Sequence, residues 1–140
     1  MSEKEQKQKI LDQVAKQIDA QAPRDLSDLI QTFTRLYYAN VPLEDLAETP
    51  VETLSASVYS LWEFSLKRIP DRPKIRVFTE KQEIKRYSIH KTIVEIVNDN
   101  MPFLVDSVTG VINSLGHSIH LVIHPVMQVE RDENHVLVNV

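Results

Sequence analysis

The stretch "VNDNMPFLVDSVTG", Val97 to Gly110, decides how the chain is read. A β-branched run collapses into Asn98-Asp99-Asn100, then restarts through Met101-Pro102 into an apolar segment carrying one acid, Asp106. Three readings compete: a metal loop, an anion site at a helix start, and a plain strand-to-helix turn. A calcium loop needs oxygen donors at alternate positions and a distal bidentate Glu, and Met101, Pro102 and Phe103 stand where those donors belong. The turn reading has Asp99 or Asn100 cap a helix running from Pro102 to Leu115, with Pro102 pre-setting its first turn. Unpaired N–H groups at the same helix start could also hold a small anion, so Asp99, Asn100 and Met101 form the candidate ligand or anion site.

Upstream of that stretch "TIVEIV" (Thr92–Val97) reads as a strand, and downstream Leu104, Val108, Val111, Ile112 and Leu115 share one helical face. Gly116 is placed to be the left-handed cap of that helix. "SIHLVIHPVMQVE" and "HVLVNV", separated by the turn "RDEN", read as two further strands. Before them, "PDRPK" opens a period-two segment with Ile75 and Val77 expected inside and Lys74 and Arg76 outside.

The first 70 or so residues follow helical spacing instead. Ile10, Leu11, Val14 and Ile18 form a narrow stripe from Glu3 to about Ala20. A second helix is marked by Leu26, Leu29, Ile30, Phe33, Leu36 and Tyr37, with Asp25 able to cap it. "LEDLAE" reads as an acidic turn, and Thr49-Pro50-Val51-Glu52 as a capping box opening a third helix along Val51, Leu54, Val58, Leu61 and Trp62. Lys67 and Arg68 suit the negative end of its dipole. Trp62, Tyr37 and Tyr38 fall on or beside the apolar stripes and are expected in the core.

Composition narrows the function. The 140 residues are 42% hydrophobic and 26% charged, the balance of a folding chain. Sixteen basic against 20 acidic residues give a net charge of -4, with no basic block to neutralise a row of phosphates, so nucleic acid is an unfavoured partner. No apolar run approaches the ~18 residues of a membrane span and the N-terminus lacks a signal-peptide core, so a cytoplasmic location and no membrane partner are expected. Zero cysteines exclude thiolate and disulfide chemistry. Two glycines, Gly110 and Gly116, build neither a dinucleotide fingerprint nor a P-loop.

Three histidines, His117, His120 and His124, invite a zinc reading, but on a strand His120 and His124 stand roughly 13 Å apart at ~3.3 Å per residue, and His117 faces the other way. Ser107 beside Asp106 has no local base or oxyanion hole. No catalytic residue and no metal site are therefore expected.

The order strand, helix, strand, strand, with "NDNMPFLVDSVTGVINSLGHSIHLVIH", resembles the first half of an ACT domain, a small βαββαβ regulatory module. In that family an Asp-x-Pro turn leads into the first helix and a Gly near its end into the second strand; Asp99 to Pro102 and Gly116 stand close to those places. The unbroken run Met101–Val108, followed by "HLVIHP", is similar in a sharper way to the N-terminal region of the very large bacterial NAD-specific glutamate dehydrogenases. That likeness extends through "VPLEDL", "PVETL", "SLWEF" and "KIRVFT", from about Leu36 onward, leaving the N-terminal helix outside.

The resemblance implies an α+β fold: a helical N-terminal segment, 1–70, then an incomplete ACT-like, ferredoxin-like antiparallel sheet with one packed helix, 71–140, truncated before its second helix. It implies a parent enzyme that oxidises L-glutamate to 2-oxoglutarate and ammonium with NAD, and in it a non-catalytic regulatory or assembly role for this segment, which itself takes no cofactor. Expected partners are downstream domains of the same polypeptide and further copies paired through sheet edges such as His135–Val140; a chain stopping inside a strand is expected to be a fragment. Many amino-acid-binding ACT domains carry Gly after the Pro, where Phe103 stands here. The rival readings are a small amino-acid sensor gripping its ligand at Asp99 and Asn100, and a free-standing interaction domain unrelated to dehydrogenases.

Overall fold

The computed structural model describes residues 1–84 and 87–140, and the side chains of all of these except 82–84 and 87–89. Ser2 opens the first helix, α1 (Glu3–Gln21), by accepting the Glu5 N–H on its hydroxyl at 3.2 Å. Glu3 and Glu5 sit in its first turn, where the dipole favours acids. Leu11, Val14 and Ile18 are its buried residues, as their spacing predicts. Pro23 disfavours helical backbone at Ala22, and the chain leaves α1 there.

A single 3-10 turn at Arg24–Leu26 leads into α2 (Ser27–Tyr38). Asp25 does not cap α2, because it lies inside that turn rather than at the helix boundary. "LEDLA" is not a plain turn but a short helix, α3 (Leu43–Ala47), anchored by buried Leu46. α4 (Val51–Ser65) starts where the sequence signals it, yet no capping box forms. Pro50 holds the cap position, and the Thr49 hydroxyl donates back to the Asp45 carbonyl at 2.8 Å, closing α3 instead.

The core is where these helices meet. Val14, Ile18, Ile30, Tyr38, Leu46, Val58 and Trp62 are essentially inaccessible to solvent, and burying each large apolar side chain contributes about 1.5–3 kcal/mol. Phe33 and Trp62 meet edge to face at 5.4 Å. The Tyr38 hydroxyl donates to the Leu54 carbonyl at 2.7 Å, so its one polar atom is satisfied.

β1 (Lys74–Ile84) and β2 (Tyr87–Val97) form an antiparallel pair with Lys74 opposite Val97 and Val77 opposite Val94. Its faces are reversed from the expectation. Ile75 (59% exposed) and Val77 (62%) point to solvent, while Arg76 lies toward the helices. The reason is chemical: Arg76 stacks over the rings of Phe64 and Phe78, at 4.5 and 5.0 Å, and pairs with Glu95 through Nε at 2.8 Å. Arg76 Nη2 also donates to Glu95 and to the Ser60 hydroxyl. Glu95, 8% exposed in its side chain, is thus a buried carboxylate neutralised where it lies.

After β2 comes α5 (Leu104–Ser114), none of whose residues is fully buried. Gly116, at φ +85°, is the left-handed cap: its N–H donates to Asn113 and the His117 N–H to Ile112, the two bonds of a Schellman motif. The expected strand from Ser118 to Glu130 is not a strand over 118–129, because no neighbouring backbone among the described residues pairs with it. Ile123 and Met127 instead pack on the helical core. β3 (Glu130–Arg131) and β4 (Leu137–Asn139) then form a short bulged pair around a turn in which the Asp132 carboxylate accepts the Asn134 and Val136 N–H groups. Leu137 N–H donates to the Leu66 carbonyl at 2.8 Å, and its side chain joins the helical core. The architecture is α+β: α1 to α4 come first, and two antiparallel sheets follow with α5 between them, among the described residues. Among the described residues no helix is long and apolar enough to cross a membrane.

Candidate functional site

The loop from Asn98 to Phe103 joins β2 to α5, and its geometry follows from two local facts. The Asp99 carboxylate is drawn to Arg68, accepting from Nη1 at 2.8 Å. Phe103 adopts φ 65°, ψ 10°, a left-handed conformation that favours glycine, and so delays the helix to Leu104. Neither Asp99 nor Asn100 caps α5, contrary to the turn reading, because Pro102 and Phe103 form a turn of their own before it. The first α5 bond runs from the Ser107 N–H to the Phe103 carbonyl at 2.8 Å.

Asp99, Asn100 and Met101 are all exposed, and they lie upstream of the helix terminus rather than on it. The Asn98 amide nitrogen is 3.9 Å from the Met101 sulfur. Phe103, the residue in place of the ACT glycine, projects outward with 77% of its surface exposed. Ser107 and Asp106 are exposed in the first turns of α5. His117, His120 and His124 are exposed too, and no group of three His, Asp or Glu side chains among the described residues is arranged to hold a metal ion.

Gly110 is inside α5 and Gly116 follows that helix, so neither lies on a strand-to-helix turn where backbone could approach a pyrophosphate.

The sequence places Lys67 and Arg68 at the C-terminal end of α4, but gives no sign of the two further cations that the fold brings there, Lys74 and Arg131. Lys67 is exposed there. The side chains that meet the carbonyls at and just after the end of α4 are Lys74, from β1, and Arg131, from β3. Lys74 Nζ donates to the Phe64 and Lys67 carbonyls at 2.7 and 2.8 Å, and Arg131 Nη1 to the Leu66 carbonyl at 3.2 Å. Burial, then Arg131 and Arg76 beside it, holds the Lys74 ammonium below its ordinary pKa. The composition of "KRIPDRPK" signals the charge, but only folding brings Arg131 to it. A cleft of about 220 Å³ opens between Tyr37, Asn40 and the segment Val122–Pro125. Burial, with Glu95 adding to it, pushes the Tyr37 hydroxyl up to about 12.

Residues 33–140 match the family model described as glutamate dehydrogenase, ACT1 domain. The chain is 32% identical over 137 residues, 98% of its length, to an NAD-specific glutamate dehydrogenase of Halomonas elongata, so the likeness extends into α1, beyond the Leu36 limit read from motifs. It is 28% identical over 102 residues, 73% of its length, to the enzyme of the same name from Pseudomonas aeruginosa. The matched regions are 8% and 6% of those relatives, so the chain spans less than a tenth of either. No solved structure gives a significant match. A domain unrelated to dehydrogenases is thereby ruled out, and the chain belongs to the glutamate dehydrogenase ACT1 domain family.

Proposed function

We propose that this chain is the N-terminal, non-catalytic regulatory or assembly module of a bacterial, cytoplasmic NAD-specific glutamate dehydrogenase. The parent converts L-glutamate, NAD⁺ and water to 2-oxoglutarate, ammonium and NADH on domains elsewhere in the polypeptide. The observation that carries the reading is the family match over 33–140 in a chain that spans 8% of its Halomonas relative. In this reading residues 1–70 are a helical platform and residues 71–140 the ACT-like part. Copies associate through open sheet edges, where unpaired backbone groups seek a further strand. The long β1–β2 pair supports this, since both of its outer edges lack a ladder partner among the described residues.

The test is a deletion of this segment from the full-length parent. Glutamate-dependent NAD reduction is expected to survive while the sedimentation coefficient or the response to effectors changes. Loss of the chemical step in an enzyme that keeps its assembly state overturns the proposal. The amino-acid-sensor reading, at Asp99, Asn100 and Met101, is second, favoured only by the exposure of those residues. Calorimetry with glutamate separates the two: binding heat abolished by Asn100→Ala supports a sensor, and its absence removes it.

A further inference from the structure

The end of α4 gathers more positive charge than a helix terminus needs. A helix C-terminus carries about half a negative elementary charge, and Lys74 already meets the Phe64 carbonyl inside α4 and Arg131 the carbonyl of its C-cap residue, Leu66. Arg68 stands with them: its backbone N–H and Arg131 Nη1 donate to the same His135 carbonyl, at 3.3 and 3.1 Å. Burial and the neighbouring Arg68 hold Arg131 below its ordinary pKa, a sign that the cations crowd one another. Among the described residues the carboxylate in ion-pair contact with this group is Asp99.

Arg68 is the informative member. Its side chain is only 11% exposed, Nε donates to the Arg72 carbonyl at 3.1 Å, and Nη1 donates to Asp99. Nη2 is buried and has no hydrogen-bond partner among the described residues. Leaving a buried charged donor unmet is costly, and a guanidinium presents its two terminal nitrogens as a fork that matches the two oxygens of a carboxylate. Asp99 fills one prong with one oxygen. Its own side chain is 66% exposed, and exposed pairs are held weakly, so it can be displaced.

We propose that Arg68, with Arg131 and Lys74 supplying the surrounding field, is a binding site for a small carboxylate anion, and that Asp99 is its built-in competitor. Once Asp99 is displaced the guanidinium is free to turn outward, and an incoming carboxylate takes both Nη1 and Nη2, gaining the bond that Asp99 does not make. The inference does not rest on the parent enzyme's chemistry.

The experiment is calorimetric titration of the chain with succinate at fixed ionic strength, with chloride as the control anion. Saturable binding beyond chloride is expected, about threefold tighter in Asp99→Asn and about tenfold weaker in Arg68→Lys, which keeps the charge and loses the fork. Circular dichroism checks that each variant folds. If Arg68→Lys does not fold, Asp99→Asn decides, since a merely structural Arg68–Asp99 pair predicts no tightening when it is removed. No saturable heat beyond chloride, or an affinity that Asp99→Asn leaves unchanged or lowers, overturns the proposal.

Discussion

Trp62 packs edge-on against Phe33 inside the helical layer, with 1% of its surface exposed, so its removal leaves a cavity that the surrounding helices cannot close. Trp62→Ala is expected to cost about 3–5 kcal/mol, a large part of the 5–15 kcal/mol that typically holds a domain together. Urea denaturation checks this: the midpoint falls sharply with the slope unchanged if the native state is otherwise intact. The neighbouring tyrosines make a second prediction, about alkaline pH. Burial raises Tyr37 from 10.0 to about 12, and raises Tyr38 further, with Tyr37 adding to it. Below the unfolded pKa near 10 both hydroxyls are protonated in both states, and the stability linked to them is fully present. Above it the unfolded chain ionises first, so stability is lost as pH rises from about 10 through 12. Denaturant midpoints should therefore fall over that window, and Tyr37→Phe and Tyr38→Phe should each flatten the fall.

The element that tests local stability most cleanly is α5, because nothing in it is fully buried and its end is set by one glycine. A Cβ at Gly116 meets nothing within 4 Å, so Gly116→Ala pays only for the left-handed backbone, about 1 kcal/mol. Amide exchange in α5 is expected to quicken about fivefold while exchange in α4 stays as it was; equal quickening in both would mean that α5 unfolds only with the whole molecule. The same comparison explains what the sequence disclosed. α1, α2 and α4 were legible because Leu11, Val14 and Ile18, or Leu54, Val58 and Trp62, close their core by local helical spacing. The β1–β2 strands were legible as strands but not as faces: alternation says that Ile75 and Arg76 differ, not which one meets Phe64 and Glu95. Residues 118–129 alternate too, with Ile123 and Met127 turned to the core, yet a strand needs a partner, and periodicity carries no information about one. At the candidate site, Asp99 was visible as a polar loop residue, whereas its partner Arg68, 31 positions away, became visible only in the fold. The late start of α5 rests on the backbone of Phe103, a residue with no composition signal for a left-handed turn.

At the scale of the whole molecule the helical layer has a closed core, whereas the sheet is open on two counts. β1 and β2 are each 11 residues long and pair only with each other among the described residues. Two-stranded sheets of this kind are marginal alone, and unpaired edges template further pairing. The outward face adds Ile75 and Val77 opposite Ile96 and Val94, an apolar strip with solvent on it. The inward face meets α4 through charged side chains, Lys74 and Arg76 lying over the Phe64 ring and Arg76 and Glu95 bonding Ser60. A sheet built this way gains from any element that covers it, and the proposed assembly role assigns that place to another copy. Sedimentation of the isolated chain is therefore expected to give a mass that rises above 16.2 kDa with concentration. Val77→Lys places a charge on the open strip at a position that touches no core residue, so it should return the chain to 16.2 kDa without lowering its unfolding midpoint. A wild-type chain that stays at 16.2 kDa at every concentration would remove self-assembly from the role of this segment. Regulation through the Arg68 cluster would then stand alone, since that site is complete within one copy.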